Sequence, residues 1–363
     1  MSRFFYQTFI FFGINFVLAL ASAHAYNLID KTEFGGQLKF GSYFVDNKQV
    51  EAQVFGITGM LDMKTQLSES LSTDIGVGFT TEVGSSNAFN NIDEYAPRRQ
   101  WRMRNAFLKW DPLSFLTARV GAINQRDYDA PLLVTRTAFM GVQQELHFQL
   151  TEDYRFWIRA QQAIPNNLNL TQRIGVVEDG TPTYFMETIG LELDGDILAF
   201  KAQGGRWSYD SLSTGTAFQS NFLGNSIRDG SRLLSSFIYR YSGYTASGVL
   251  RMHFSDNLGL KFSGQFLFNE EAPEERNMGQ FLKTSLIFGH FQPSFLLFRN
   301  ESDSSPAFYN SAFFSHNNHE GYSVELRYCD PYDDDENKVT AFINYVDSRI
   351  LKFSSFQSDT KKV

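Results

Sequence analysis

Arginines repeated at even spacing are the most chemically pointed feature of this chain. Arg102 and Arg104 stand two apart, and Arg155 and Arg159 share their parity with Trp157 and Gln161. Arg119 shares its parity with Thr117 and Gly121, and Glu145 with His147 and Gln149. Residues two apart in an extended chain point to one face. If these segments are consecutive neighbouring strands, their polar faces merge into one arginine-rich wall with Glu145 set among the guanidiniums. A ladder of Arg in a confined aqueous passage attracts anions and repels cations; inward Arg and Glu can equally pair with one another to satisfy a polar interior. Asp93, Glu94, Asp127 and Asp129 lie in connecting segments and could fold back to oppose such a wall. Residues 125–137 begin polar and turn apolar at Pro131-Leu132-Leu133-Val134. An apolar run in a long connection costs free energy unless it is covered. Asp127 and Asp129 are therefore candidates for a constriction loop, with loop packing or a subunit contact as the alternative.

Bond-making chemistry is thinly represented. Neither a Gly-x-Ser-x-Gly elbow nor a His-Glu-x-x-His pair occurs. His316 and His319, followed by Glu320, are metal-ligand types in what reads as a surface loop, where solvation is the simpler role. The acidic run at residues 330–336 lacks the glycine and spacing of a calcium loop. Cys329 is the single cysteine. No catalytic residue, metal or cofactor is assigned.

Composition narrows the setting. The 363 residues include 37 Phe and 16 Tyr, enough apolar surface to offset ordering entropy and exclude wholesale disorder. One cysteine excludes a disulfide scaffold and a thiolate zinc site. A net charge of -8 argues against a uniformly basic nucleic-acid binder, and no nucleic-acid partner is expected. Residues 1–25 read as a signal peptide: Arg3, an apolar run from Phe9 to Leu20, then Ala23-His24-Ala25. Residues 26–363 would form the working domain.

That domain is written in period two. Ile75, Val77, Phe79 and Val83 oppose Asp74, Gly76, Gly78, Thr80 and Glu82. Leu260, Phe262, Phe266 and Phe268 oppose Lys261, Ser263 and Gln265, and Tyr322, Val324, Leu326 and Tyr328 oppose Ser323, Glu325 and Arg327. Connections alternate between short turns and long polar loops. Beyond residue 25 no run is long and apolar enough for a spanning helix. A chain of this pattern can span a bilayer only as a closed barrel, which leaves no lipid-facing backbone unpaired. Aromatics near strand ends, among them Tyr43, Phe44, Trp110, Trp157, Tyr241 and Phe254, suit a lipid interface. The fold class is therefore all-β: a transmembrane antiparallel up-and-down β-barrel of about 16 strands, 14 to 18 being defensible. Tyr241-Ser242-Gly243-Tyr244 reads as a tight turn, which leaves either a short hairpin or an extra strand within 215–224. The closing strand is expected at Ile350 to Phe356.

The stretch from Asn105 to Gly121, one strand turning through Asp111-Pro112 and returning, resembles bacterial outer-membrane porins, as does the rhythm of the whole chain from residue 26 onward. The resemblance implies a porin in the outer membrane of a Gram-negative bacterium, surrounded by lipid and without catalysis. It would pass small polar or anionic solutes, and a homotrimer is the assembly often found in that class. Arg102, Arg104, Arg119, Glu145, Arg155 and Arg159 would then line the pore. The alternatives are a barrel-borne outer-membrane hydrolase and a plugged structural or adhesive barrel.

Overall fold

The computed structural model describes residues 31–88, 95–135, 137–165, 181–231, 233–255, 257–328 and 340–363. The signal segment, Asp93, Glu94, Cys329 and the acidic run 330–336 lie outside the described residues.

Sixteen strands close into one antiparallel barrel. Nine come first: β1 (Thr32–Asn47), β2 (Val50–Gln66), β3 (Leu71–Ala88), β4 (Arg99–Leu113), β5 (Leu116–Asn124), β6 (Ala138–Gln149), β7 (Tyr154–Ile164), β8 (Thr183–Asp194) and β9 (Leu198–Asp210). A helix, α1 (Thr214–Phe222), and a small hairpin of β10 (Ile227–Arg228) and β11 (Ser236–Phe237) follow outside the wall. The wall resumes with β12 (Tyr241–Ser255), β13 (Leu258–Asn269), β14 (Met278–Phe288), β15 (Phe291–Asn300), β16 (His319–Tyr328), β17 (Ala341–Ile350) and β18 (Thr360–Lys362).

The period-two pattern fixes which face meets lipid. Register places Leu38 beside Gly59, Gly59 beside Phe79 and Phe79 beside Trp101, one apolar row across four strands. Phe79 and Trp101 pack with centroids 5.4 Å apart, and the Phe79 ring covers Gly59, whose missing side chain leaves it room. A one-residue slip would turn every such row into the lumen, so burial of the polar face holds the register.

Three sequence expectations are corrected. Tyr241 to Tyr244 is the start of β12, paired with β9, and is not a turn. Residues 215–224 hold most of α1, where Ser213 caps the first turn by accepting from the Thr216 amide; no strand hides there. Residues 351–359 are not a strand: β17 ends at Ile350, and the closing strand is the three-residue β18. The Ile350 amide, at the end of the β16–β17 ladder, donates to the Asp359 carboxylate. Two aromatics assigned to the lipid interface, Trp157 and Tyr241, face inward and are 2% exposed, because they share parity with polar lumen residues.

The apolar core lies inside the barrel. Phe139, Tyr184, Met186, Trp207 and Tyr209 from β6, β8 and β9 meet Leu267, Leu296 and Phe298 from β13 and β15. Leu132, Leu133, Tyr309 and Phe314, carried on loops between strands, fill the space between these walls.

Candidate functional site

Between β5 and β6, the described residues 125–135 turn inward and cross the lumen. Asn124 begins the turn by accepting from the Arg126 amide, and Asp129 ends it in a left-handed conformation (φ 47°). Each side of the loop is held by a side-chain amide from the wall. Gln161 donates to Gln125 Oε1 at 3.0 Å, and Gln143 donates to the Tyr128 hydroxyl at 3.3 Å. Gln203 donates to the Tyr128 carbonyl. On the far wall Gln265 Oε1 accepts from the Leu132 amide at 2.9 Å. Gly279 on β14 makes room for Asn300: a Cβ there would stand 2.6 Å from Asn300 Oδ1, with Leu132 Cδ1 next at 3.4 Å. Leu132 and Leu133 are fully buried.

A second inward loop locks the first. Ser305 Oγ donates to the Leu132 carbonyl at 2.7 Å, and the Thr135 amide donates to the Tyr309 carbonyl at 2.8 Å. This loop, residues 301–318, is itself held by amides. Asn225, just after α1, donates to the carbonyls of Ser302 and Ser305 at 2.6 and 2.9 Å, and Asn317 donates to the same two. His316 and His319, expected as solvated loop residues, are instead buried against the carbonyls of Ala307 and Asn317. The loop folds inward because its Ser and Asn side chains satisfy the backbone groups that folding removes from water. Among the described residues no cluster of three metal-ligand types forms.

At the edge of the first loop sits the charged cluster. Arg159 makes two hydrogen bonds to Glu145 Oε2, at 2.8 and 2.7 Å, and Arg155 one to Oε1 at 2.6 Å. Arg119 pairs with Asp127 and donates to Gln143 Oε1 at 2.9 Å. Arg159 also donates to the Asp127 carbonyl at 2.9 Å, with its guanidinium 5.4 Å from the Tyr128 ring centroid. With Arg126, whose Nε lies 3.7 Å from Asp127 Oδ1, four guanidiniums face two carboxylates, a net of +2. Burial pushes the Asp127 carboxyl up, but Arg119 and Arg159 outweigh it and hold the group below the usual carboxylate range. Burial pushes the Tyr128 hydroxyl up, so it stays neutral.

The structure brings Arg119, Glu145, Arg155, Arg159 and Asp127 together. It separates Arg104, which pairs with Asp62 of β2 at 2.9 Å, and Arg102, an exposed side chain further along β4. A bulge between Asn105 and Met103, opposite Gly76 and Val77, shifts the β4 register between these arginines and the rest of that strand. Asp129 is exposed and ends the loop turn without joining the cluster.

Two polar cavities adjoin the cluster. One, of about 370 Å3, is lined by Lys64, Asp74, Asn105, Lys109, Arg119 and Asp127 among others. The other, of about 350 Å3, is lined by Lys109, Asp111, Thr117, Arg119, Glu145, His147 and Arg155. Lys109 and Arg119 border both. The glutamines that fasten the loop went unassigned at the sequence level. Gln143, Gln161, Gln203 and Gln265 all sit at inward parity on their strands, and that shared phase was the available signal.

No family model matches the chain, and no curated protein sequence matches it either. Solved structures do. The barrel matches OprB of Pseudomonas putida in its high-pH structure with a TM-score of 0.54 and 12% identity, covering 92% of this chain and 93% of OprB. It matches OmpF of Salmonella typhi, solved with daunomycin, with a TM-score of 0.52 and 12% identity, covering 94% of this chain and 98% of OmpF. Both are bacterial outer-membrane porins. At such identities the likeness establishes a porin-like barrel fold.

Proposed function

We propose that this chain is an outer-membrane porin of a Gram-negative bacterium, passing small polar solutes by diffusion with a preference for anions. One observation carries the reading: the charged cluster of net +2 at the edge of an inward loop, opening on two polar cavities. The loop and its aromatic support occupy the side of the lumen under β6–β9 and β12–β15. The solute path then runs along β2–β5, past Lys109 and Arg119. In a confined passage an uncompensated positive charge biases ions strongly, because the local dielectric is below that of water. No bond is made or broken, and the pore-lining residues are Arg102, Arg104, Arg119, Glu145, Arg155 and Arg159.

The plugged barrel is the second reading, favoured by the two loops that fold into the interior and pack on its apolar residues. Single-channel recording in a planar bilayer under a salt gradient separates them. Stable open steps with an anion-leaning reversal potential are expected, moving toward cations in Arg155→Ala/Arg159→Ala. A folded barrel that never conducts would overturn the porin reading in favour of the plug.

A further inference from the structure

A groove of about 920 Å3 runs across the outer face of the wall, from β9 to β17. It follows two neighbouring rows of outward residues. One row passes from Ala246 of β12 through Phe266 and Gln280 to Arg299, Glu320 and Arg349. The other passes from Ala202 of β9 through Gly248, Gly264, Leu282 and Tyr322 to Asp347. Leu282, Leu297 and Tyr322 are exposed while Leu296, Phe298 and Ser323 beside them in the chain are buried, so both rows face lipid.

The two ends of the groove differ in character. At β9 to β13 the outward positions Ala202, Ala246, Gly248 and Gly264 carry almost no side chain. Leu191 on β8 and Leu282 on β14 stand at their flanks. The lipid-facing surface is therefore hollow between two ridges of large residues. At β15 to β17 the groove is charged. Among the described residues four charged side chains line it, two of each sign: Arg299, Arg349, Glu320 and Asp347. Arg349 Nε donates to Glu320 Oε1 at 2.7 Å, and Arg299 Nη1 lies 3.7 Å from Glu320 Oε2. Glu320 thus draws both guanidiniums together, yet the two side chains remain 46% and 75% exposed for Arg299 and Arg349. Both arginines are the last residue but one of their strands, whereas Ala202 and Gly264 lie in mid-strand. The groove consequently climbs from hydrocarbon depth at its apolar end to the long-loop rim at its charged end.

We propose that this groove seats one two-chain glycerophospholipid with a phosphoethanolamine head. Its chains would lie over Ala202, Ala246 and Gly264, and its phosphate against Arg299 and Arg349. The proposal rests on the outer-membrane barrel and is independent of solute traffic. The direction of the groove selects the class of ligand: apolar at depth and polar at the rim is the polarity of a membrane lipid. Its volume is at the upper end of the ~300–1,000 Å3 of ligand sites, which suits one lipid of two chains. Guanidinium forks match phosphate oxygens bidentately. The balance of charge selects the head. Two cations and two carboxylates are met by one phosphate and one ammonium with no charge left over. A glycolipid carrying several phosphates would set surplus negative charge against Glu320 and Asp347. The Asp347 carboxylate accepts from the Tyr345 hydroxyl at 3.3 Å and keeps further lone pairs for an ammonium.

The test is native mass spectrometry of the full chain in detergent, with dioleoyl phosphatidylethanolamine, dioleoyl phosphatidylglycerol and lipid A as probes. One phosphatidylethanolamine should be retained per barrel, bound at least about tenfold more tightly than phosphatidylglycerol. Ala246→Phe fills the apolar end, and Arg349→Lys keeps the charge but removes the fork; each should weaken retention about tenfold. Asp347→Asn should keep phosphatidylglycerol binding and erase the preference for phosphatidylethanolamine. Leu61→Phe, on the outer face of β2 and away from the groove, should change nothing. Heat-modifiable migration shows that each variant is folded. Equal retention of the two phospholipids, or equal losses in Leu61→Phe and Ala246→Phe, would overturn the site. Preferred retention of lipid A would overturn it by assigning the groove to a polyanionic glycolipid. A dimer or trimer of the chain that Ala246→Phe dissolves would overturn it by assigning the face to a second copy. Bilayer conductance is recorded separately, so failure of the porin reading and failure of the lipid site give different results.

Discussion

The two sides of the barrel interior are built on opposite principles. On β6, β8, β9, β13 and β15 the inward positions include the apolar and aromatic Phe139, Tyr184, Trp207, Leu267 and Phe298, and two loops pack on them until Trp207, Leu267, Leu132 and Tyr184 are fully buried. On β2 to β5 the inward positions are Lys64, Asp62, Asp74, Arg104, Lys109 and Arg119, and the space between them stays polar. Both sides obey the same alternation, with apolar residues toward lipid. The difference teaches that one period-two code can carry two interiors. The outer face is set by the bilayer, while the inner face is free to be either a packed core or a wet wall. The charged cluster of Arg119, Glu145, Arg155, Arg159 and Asp127 marks the border between them.

The sharpest way to break this contrast is to charge the packed side. Leu132→Asp buries an unpaired carboxylate against Leu267 and Phe298, at a cost of ~3–5 kcal/mol to the loop's seating. The loop should leave the lumen, and single-channel conductance should rise several-fold; conductance equal to the parent would show that the loop is not what narrows the path. Trp207→Ala empties a large site in the same core and should cost ~3–5 kcal/mol, read as a lower midpoint of heat-induced barrel unfolding. Little change there would mean the aromatics do not support the loop.

At the border, Glu145→Gln removes the carboxylate that two arginines share. Arg159 is 8% exposed, so taking away its hydrogen-bonded counter-charge and leaving only the Asp127 carboxylate nearby should cost ~2–5 kcal/mol of local stability. The reversal potential should move further toward anions, and a shift toward cations would contradict the assignment of charges.

The pH response sharpens the same border. Asp127 is depressed in the folded chain, so its contribution is fully present above the ordinary carboxylate value, ~3.9. It is lost only as pH falls through the lower folded value. Conductance should therefore hold steady down to that ordinary value and change below it, and Asp127→Asn should abolish the step. A transition well above that range would show that Arg119 and Arg159 do not hold the group. The smallest effect is expected on the wet side. Arg102→Ala, at an exposed position, should alter stability by no more than ~0.5 kcal/mol, while still moving the reversal potential toward cations. An unchanged potential would remove Arg102 from the pore lining.

Much of the fold was legible because alternation is a local signal. Rows such as Leu38, Phe79 and Trp101 declare themselves along each strand, and the inward parity of Arg119, Glu145, Arg155 and Arg159 follows from the same count. The misreadings share a cause. Tyr241 to Tyr244 and residues 215–224 carry Gly, Ser and Tyr in proportions that suit a turn, a strand start or a short helix, and the choice depends on neighbours distant in sequence. Trp157 and Tyr241 looked like interface aromatics because parity was set aside in favour of residue type. His316 and His319 looked solvated because nothing local shows that residues 301–318 fold inward.

By itself the sequence determined a membrane-type antiparallel barrel, its lipid-facing surface and the parity of its arginines, since each depends on residues two apart on one strand. The tertiary structure alone decided that Arg155 and Arg159 converge on one Glu145, that Asp127 and not Asp129 meets Arg119, and that two loops pack inside the lumen. The first two follow from the β6–β7 register, which sets Glu145 opposite Arg159, and from the turn after β5; the third depends on closing a ring of sixteen strands, which brings Leu132 to Gln265 and Ser305 across the interior. No local pattern encodes contacts made only when the ring is closed.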